Sequence, residues 1–261
     1  MKKNIRRFLI FIAVVLAGVV TFAVWPTTTK NLTMDESYLK KPEVIEQGKY
    51  LAVLGDCAAC HSKDSGKTYT GGNAIESPIG NMYSPNITPD NETGIGKYTL
   101  DDFDRALRYG IRKDGVSLYP ALPYPSYAKI YADDVIALYA HFKYGVEPIN
   151  QASAENEIPW PLSIRFPMTF WRKIFAPNVE PISKSKYSDA KVARGAYLVQ
   201  NLAHCGACHT PRAITMQEIG LDESSPEFLA GETLIDGWVA INLLNNDDGL
   251  KNWNEEDIVG S

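Results

Sequence analysis

The sequence predicts an all-α protein in which two similar helical units follow an apolar N-terminal segment. The pentapeptide C-x-x-C-H occurs twice, at residues 57–61 and 205–209, and a Gly-x-Tyr-Leu segment precedes each copy. An uncharged run over residues 8–25 predicts a further helix near the N-terminus. Apolar residues also recur at the i, i+3, i+4, i+7 spacing of a helix face, as in Val135, Leu138, Tyr139 and Phe142.

The C-x-x-C-H motif is the signature of covalently attached haem c. Its two thiols bind the two vinyl groups of one porphyrin, and the adjacent histidine becomes the proximal ligand of the iron. All four cysteines lie in the two motifs, so none is left for a disulfide. The sequence therefore predicts two haem c groups with His61 and His209 as iron ligands. Their attachment sites are Cys57, Cys60, Cys205 and Cys208.

Two other kinds of site also contain a C-x-x-C pair. A thioredoxin-like redox pair needs no following histidine, and a zinc site would have to combine ligands from two distant parts of the chain. Neither alternative accounts for two complete copies of the pentapeptide behind an export-type N-terminus. Haem c is therefore the interpretation on which the other predictions depend.

The charge distribution argues against one class of partner. The 261 residues carry a net charge of −5, although residues 1–30 hold five basic and no acidic residues. The rest of the chain is therefore strongly acidic, which argues against nucleic-acid binding and favours partners with a basic docking face. Hydrophobic residues make up 45% of the chain and charged residues 22%, as in a folded protein.

Residues 1–26 are expected to be a membrane anchor or a signal peptide. Basic residues precede the uncharged run of 18 residues, and Pro26 ends it. At 1.5 Å per residue this run would span ~27 Å as a helix, close to the hydrocarbon thickness of a bilayer. Cleavage after Ala17 or Ala23 is the alternative. Either way the body lies outside the cytoplasm, because the basic end stays inside. A polar tether, residues 27–41, follows.

The first haem unit is expected over residues 42–147. Pro42 can occupy the first turn of a helix that runs toward Asp56 and the first motif. Residues 62–98 are rich in Gly, Pro, Asn, Ser and Thr, which predicts loops and turns.

Two more helices complete this unit. Thr99 and Asp102 have the spacing of a capping box, which predicts a helix start, and Gly110 marks the expected end. Arg105, Arg108 and Arg112, on or just after this helix, are expected to form a solvated face. The last helix is expected over about residues 132–144 and should pack its apolar stripe into the core. Three helices with long loops around one haem are typical of a class I cytochrome c.

Further motifs resemble the cytochrome c subunit of membrane-bound bacterial dehydrogenase complexes, from about residue 43 onward. They are Gly48-Lys49-Tyr50-Leu51, Gly55-Asp56 before the first motif, Tyr83-Ser84-Pro85-Asn86-Ile87-Thr88-Pro89-Asp90, Gly94-Ile95-Gly96, Leu118-Tyr119-Pro120-Ala121 and Pro123-Tyr124 with Ser126-Tyr127. The resemblance implies a subunit on the periplasmic face of the bacterial inner membrane, not catalytic alone. It would take electrons from a catalytic dehydrogenase subunit, which oxidises alcohols, aldehydes, gluconate or related sugars, and pass them to quinone or a terminal oxidase.

The sequence departs from this family at the sixth ligand of the first haem. The family usually has Met after Tyr-Pro-Ala, where this chain has Leu122, whose side chain cannot coordinate iron. We therefore expect a five-coordinate or weakly ligated first haem with a lowered potential. Met82 is an alternative ligand, but it lies in the loop expected nearer the proximal face. His141 lies on the last helix, where a surface or interhelix position is expected.

Residues 148–188 are expected to connect the two units. Prolines and aromatic residues are interleaved in this connector, whereas a free linker would be poor in aromatic residues. We interpret it as an apolar pad between the units. A docking patch for quinone or a protein partner is the alternative.

The second haem unit is expected over residues 189–261 and repeats the first. Gly195 begins the segment that corresponds to Gly48–Leu51, and residues 249–258 match residues 94–103, so the fold itself is predicted to be duplicated. Counted against the first copy, the second stops inside its second helix, which predicts a truncated form without a sixth ligand. His204, directly before the motif, is expected to face solvent.

Electron transfer through covalently bound haems is the predicted function. The alternative is haem catalysis, as in a peroxidase, or gas binding at an iron with an open coordination position. No convincing distal His and Arg pair for splitting an O–O bond is recognised in the sequence, which favours electron transfer.

Overall fold

The computed structural model describes residues 2–63, 66–231, 234–235 and 238–260. Within these ranges the chain is mostly helical, as predicted, and sheet is limited to two short antiparallel pairs. The helices are α1 (Lys2–Val24), α2 (Glu36–Leu39), α3 (Pro42–Leu54), α4 (Cys57–His61), α5 (Leu100–Tyr109), α6 (Tyr124–Tyr127), α7 (Ala132–Ala140), α8 (Phe166–Phe175), α9 (Ala190–Tyr197), α10 (Gly206–His209) and α11 (Glu255–Gly260). The strands are β1 (Ala74–Ile75), β2 (Met82–Tyr83), β3 (Leu234–Ile235) and β4 (Trp238–Val239).

The N-terminal helix α1 is apolar and almost entirely exposed. Its segment Lys3–Ala23 is long and apolar enough to cross a membrane, and it is exposed except near its C-terminal end, where Ala23 is buried. A signal sequence near the N-terminus has the same properties. The structure therefore agrees with the predicted anchor or signal and does not choose between them.

The core forms where α3 crosses α7. Pro42 occupies the first turn of α3, as predicted. At the crossing, a Cβ atom on Gly48 would lie 1.9 Å from the carbonyl oxygen of Ala137, so only glycine allows the two helices to approach this closely. Around this contact lie buried residues of both helices, Val44, Leu51, Ala52, Val135, Leu138 and Tyr139 among them. The apolar stripe predicted for the last helix is confirmed, and a π-helical turn (His141–Gly145) extends α7.

The helix α5 begins and ends at the predicted residues. Thr99 accepts a hydrogen bond from the backbone of Asp102, whose side chain accepts one from Thr99 N, and Gly110 ends the helix with φ +62°. The prediction for Arg108 is wrong: its side chain is only 6% exposed. It forms an ion pair with Asp104, one turn earlier and fully buried, and this pairing offsets the cost of burying the guanidinium group.

The turns that follow the two C-x-x-C-H motifs repeat the same backbone geometry. Gly71 N donates to His61 O and Gly231 N donates to His209 O, each over 2.7 Å. Both glycines have left-handed φ values, +77° and +81°. A Cβ atom at either one would lie within 2.9 Å of three backbone atoms of the segment packed against it. These two positions therefore require glycine.

The repeat continues as far as α11. Asn254 and Asp257 form a capping box like that of α5, with Asn254 N donating to Asp257 Oδ2 over 2.9 Å and Asp257 N donating to Asn254 Oδ1 over 3.1 Å. Gly94 and Gly249 occupy matching turns, where a Cβ atom would lie 2.2 Å from a backbone carbonyl oxygen. The predicted duplication therefore has a counterpart in local structure along most of the second copy.

The two copies share packing contacts. The rings of Tyr131 and Tyr197 are stacked, with centroids 4.5 Å apart and an interplanar angle of 8°. Lys129 Nζ lies 2.5 Å from Asp222 Oδ2. Tyr197 and Leu202 belong to the same buried cluster as the α3 and α7 residues. The second copy thus packs against the loop before α7 and the start of that helix.

Candidate haem attachment sites

Each C-x-x-C-H motif lies on a short helix that begins after a left-handed residue. Asp56 precedes α4 with φ +48°, and His204 occupies the equivalent position before the second motif with φ +42°. The two cysteines of each motif are three residues apart, so their side chains lie on one face of a helical turn. This arrangement presents two thiols in the same direction, with the histidine at the end of the helix.

The two motif histidines are oriented in the same way. His61 Nδ1 lies 2.7 Å from the carbonyl oxygen of Pro85, and His209 Nδ1 lies 2.8 Å from that of Ile241. Because a carbonyl only accepts, each Nδ1 donates, and in the neutral ring Nε2 then holds the lone pair that can bind a metal. Histidines that bind metals commonly donate their other N–H group to a carbonyl, which fixes the ring. Both side chains are therefore prepared to bind iron through Nε2.

Sequence reasoning missed these two carbonyls, although the repeat contains the signal. Asn86 follows Pro85 and Asn242 follows Ile241, so both carbonyls lie directly before a matched asparagine. Each asparagine side chain accepts a hydrogen bond from the backbone two residues later, at Thr88 or Leu244. Alignment of the two copies through these asparagines would have identified the acceptors.

The ionisation of the cysteines argues against a thiolate site. Burial raises the pKa of Cys57 to about 12, with smaller contributions from the charges of Asp56 and Cys60. Burial likewise raises the pKa of the other three thiols, Cys60, Cys205 and Cys208. Redox-active C-x-x-C pairs have a lowered pKa instead. Among the described residues, no group of three or more His, Cys, Asp or Glu side chains converges as in a zinc site.

The residues present therefore suit haem c. Each motif has two unpaired thiols on one helical face and a histidine whose Nδ1 is already engaged. Burial lowers the pKa of His61, so its imidazole stays neutral near pH 7, as a metal ligand must. Cys57, Cys60 and His61 would hold one group, and Cys205, Cys208 and His209 the other.

The two motifs lie next to each other. A Cβ atom on Gly55, directly after α3, would contact Leu202 Cδ1 at 3.4 Å, and Leu202 ends the π-helical turn (Leu198–Leu202) that extends α9. The thiol of Cys208 is close enough to contribute to the raised pKa of Cys60, after burial and Asp56. The chain thus brings its two candidate haem sites together.

A Tyr–His pair lies between the motifs. The hydroxyl of buried Tyr127 is 3.3 Å from His204 Nδ1, and the two rings meet edge to face with centroids 5.4 Å apart. The charges of Cys57 and Cys60 add to the burial that raises the pKa of Tyr127, so this side chain lies near the first motif as well. His204, expected to face solvent, is only partly exposed, because Tyr127 lies against its ring.

The candidates for a sixth ligand lie in different parts of the fold. Leu122 packs against the core cluster in the loop before α6. Met82 lies in β2, three residues before the Pro85 carbonyl that holds His61 Nδ1, and so belongs to the segment on the Nδ1 side of the ring. His141 is 5% exposed beside α3, the interhelix alternative of the two predicted.

Comparison with family models gives no match. Comparison with curated proteins gives clear relatives. The chain is 51% identical over 218 residues to the gluconate 2-dehydrogenase cytochrome c subunit of Pantoea cypripedii, which covers 82% of this chain and 49% of that protein. It is 50% identical over 218 residues to the alcohol dehydrogenase (quinone) cytochrome c subunit of Gluconobacter oxydans (strain 621H), covering 83% of this chain and 46% of that one.

A diheme cytochrome c-type protein of Cereibacter sphaeroides is 34% identical over 190 residues, which is 71% of this chain and 62% of that protein. The chain spans about half the length of the two dehydrogenase subunits it matches. The predicted resemblance is confirmed: over most of its length the chain is homologous to proteins named as cytochrome c subunits of dehydrogenase complexes.

Proposed function

We propose that this chain transfers electrons through two covalently attached haem c groups, from a catalytic dehydrogenase subunit to quinone or a terminal oxidase. The observation that carries the proposal is the repeated site geometry, in which His61 and His209 both donate Nδ1–H to a backbone carbonyl and keep Nε2 for iron. Bound haem supplies a reversible one-electron couple of iron. The protein residues hold the group and fix the histidine ring.

The proposed arrangement is two class I cytochrome c units, residues 42–147 and 189–261, joined by the connector 148–188. The matched turns and capping boxes of the two copies support it. The contact of Gly55 with Leu202 supports direct electron exchange between the two haems, since it brings the motifs together. The apolar helix within residues 1–26 supports a position of this body on the periplasmic face of the inner membrane.

The names of the relatives support a partner that oxidises an alcohol or a sugar acid. They are subunits of gluconate 2-dehydrogenase and alcohol dehydrogenase, and the word quinone in the second name supports quinone as acceptor. The acidic body suits a partner with a basic docking face.

The experiment has two parts. Mass spectrometry of protein matured in an exporting host should show two haems per chain. A variant with both Cys57→Ala and Cys60→Ala should show one. The α-band absorbance of the intact protein should then rise when a co-purified dehydrogenase receives its substrate. An apoprotein, or haems that stay oxidised while the dehydrogenase turns over, would refute the proposal.

Leu122 supports a second candidate function at the first haem, small-ligand binding or peroxide turnover. A leucine at the usual position of the distal ligand leaves the iron accessible, because its side chain cannot coordinate. Peroxide consumption by the isolated protein, compared with its rate of electron uptake from the dehydrogenase, separates the two functions.

A further inference from the structure

The connector helix α8 packs against the end of α1. The rings of Phe22 and Phe170 are stacked with centroids 5.8 Å apart. Lys173 Nζ lies 2.5 Å from the carbonyl oxygen of Phe22 and 2.6 Å from that of Trp25. Carbonyls at a helix C-terminus lack intrahelical partners, and a cation there is favourable. Lys173 therefore caps α1 and fixes α8 at this level.

An apolar stripe runs along the outer face of α8. Phe166, Phe170 and Ile174 are spaced four residues apart, so they share one face of the helix. Phe166 is 49% exposed and Ile174 is 61% exposed, whereas Phe170 is partly covered by Phe22. The loop before the helix adds three more exposed apolar side chains, Trp160, Leu162 and Ile164. We call these six residues the connector patch.

The opposite face of α8 is attached to the body of the protein. Trp171 Nε1 donates to the carbonyl oxygen of Thr215 over 2.6 Å, and its ring meets Tyr124 edge to face at 6.1 Å. Arg172 is 7% exposed and donates to Ser117 Oγ and Thr27 Oγ1. Because these contacts fix the helix rotation, its apolar stripe faces outward.

The position of Phe22 shows where the connector patch lies relative to the end of the apolar span of α1. Phe22 is the second-last residue of the apolar span Lys3–Ala23, so a side chain stacked on it lies where the span ends. Trp25 follows and is 67% exposed, and tryptophan is enriched at the membrane–water interface. A cavity of about 640 Å³ at this level has Phe22 and Trp25 on its wall together with the cationic Arg172 and Lys173. Apolar and cationic groups meet in this way at a bilayer surface.

We propose that the connector patch lies in the headgroup region of the bilayer that α1 crosses. Continuity with α1 identifies the lipid surface as its partner. The connector is then a second, interfacial attachment that fixes the height and tilt of the haem body above the membrane. The proposal adds to the interpretation of the connector as a pad between the two units, since the opposite face of α8 contacts Tyr124 and the Thr215 carbonyl. It rests on α1 crossing the bilayer and not on the electron-transfer proposal.

The test uses the chemistry of the cysteines. Haem attachment consumes all four, so an introduced cysteine is the only free thiol in the matured chain. Phe166→Cys and Ile174→Cys place a nitroxide spin label in the connector patch. Val53→Cys and Val192→Cys are matched controls, because these side chains are also apolar and exposed, at 70% and 58%, on α3 and α9.

The full chain is reconstituted into phosphatidylcholine–phosphatidylglycerol vesicles, and its haem spectrum is checked for each variant. Power-saturation EPR then measures collision of the label with oxygen, which concentrates in the bilayer, and with a water-soluble nickel chelate. We expect patch labels to favour oxygen over nickel by roughly tenfold relative to the controls, as apolar side chains in the interface do. Patch labels that favour nickel, or that are shielded from both reagents by protein, would overturn the proposal.

Discussion

Glu218 is a carboxyl group held in an unfavourable environment beside the second motif. Burial raises its pKa to about 7, and the charge of Arg212 offsets only part of that effect. Its Oε2 atom has no hydrogen-bond partner among the described residues. A Cβ atom on Gly206, inside the motif, would lie 3.0 Å from this oxygen. Glu218 is therefore neutral below pH 7 and costs stability when it ionises.

The first prediction concerns Glu218→Gln. The pKa of this residue is near 4.5 when unfolded and about 7 when folded. The unfolded chain therefore releases its proton first, and stability falls as pH rises between those values. The glutamine variant should be more stable than the parent by roughly 1–3 kcal/mol at pH 8, and the two should converge at pH 5. Denaturant unfolding of the haem-loaded protein at both pH values checks this. A constant difference across pH would contradict it.

The second prediction concerns Leu122→Met. A thioether at this position should complete the coordination of the first haem, because methionine is a common axial ligand and raises the potential. We expect a parent whose reduced spectrum includes a high-spin fraction that binds carbon monoxide. In the variant this fraction should fall by the share of the first haem, because the second haem is also expected to lack a sixth ligand, and one midpoint potential should rise. Leu118→Met is a nearby control that should change neither. A fully low-spin parent would contradict the prediction.

For single residues, the sequence predicts which cysteines and histidines would hold haem. It does not predict the residues that orient these side chains or lie beside them. Cysteine and histidine are recognised by type and spacing, whereas the Pro85 and Ile241 carbonyls are marked only indirectly, by the matched asparagines that follow them. Arg108 and His204 were expected in solvent because charged and polar residues usually are. Arg108 is buried against Asp104 and His204 is partly covered by Tyr127, and such pairing depends on tertiary structure.

At the scale of the secondary-structure elements, α3 and α9 both contain the Gly-x-Tyr segment of the repeat, but they differ in what they pack against. A Cβ atom on Gly48 would clash with the carbonyl of Ala137 in α7. A Cβ atom on Gly195, the equivalent residue of α9, would have no heavy atom within 4 Å in the part of the chain that the structure describes. One glycine is required by helix packing and the other is not.

This difference gives the third prediction. Gly48→Ala should destabilise the protein by about 2–3 kcal/mol, because the helices must move apart. Gly195→Ala should be neutral or stabilise by up to about 1 kcal/mol, because alanine favours the helix and nothing opposes its methyl group. The two variants control for each other in thermal or denaturant unfolding. Equal effects would show that α3 and α7 do not cross at Gly48.

Elements with local signals were predicted well, and the connector was not. The capping box and Gly110 mark the ends of α5 in the sequence, and Pro42 marks the start of α3. The helix α8 has a proline at its second residue and an aromatic-rich composition, so its sequence resembles a loop. Contacts with α1 and with the Thr215 loop support it, and neither is visible in a local pattern.

In the whole molecule, the two copies are joined by a small set of contacts that includes the Lys129–Asp222 ion pair. Burial alone would raise the pKa of Asp222, but hydrogen bonds from Lys129 and Ser224 lower it well below its usual range. A carboxylate with a depressed pKa adds stability that is present above its unfolded pKa and is lost as pH falls. The joint should therefore weaken in acid.

The fourth prediction tests this joint. The parent should unfold in one transition, followed by the Soret absorbance of both haems. A double variant, Lys129→Met with Tyr131→Leu, removes the ion pair and the stacked ring and should separate the transition into two. Lys251→Met removes an exposed pair with Asp247 and should leave a single transition, since exposed pairs contribute little. A double variant that still melts in one step would show that other contacts hold the copies together.

For the whole molecule, the duplication was predictable from the sequence, but the contacts between the two copies were not. Two motifs and two glycine-rich turns are visible as a repeat in the sequence. Their proximity depends on Gly55 against Leu202 and on Tyr131 against Tyr197, pairs of ordinary residues far apart in the chain. No spacing rule connects such residues.

The accessible backbone of α9 at Gly195 has a consequence for which helices could pack against the second copy. In the first copy, the same position receives a helix whose backbone approaches to contact distance. Among the described residues, nothing lies within 4 Å of a Cβ atom at Gly195, so a peptide with the sequence of α7, supplied in trans, could approach α9 there as α7 approaches Gly48. Fragment complementation would then use this position.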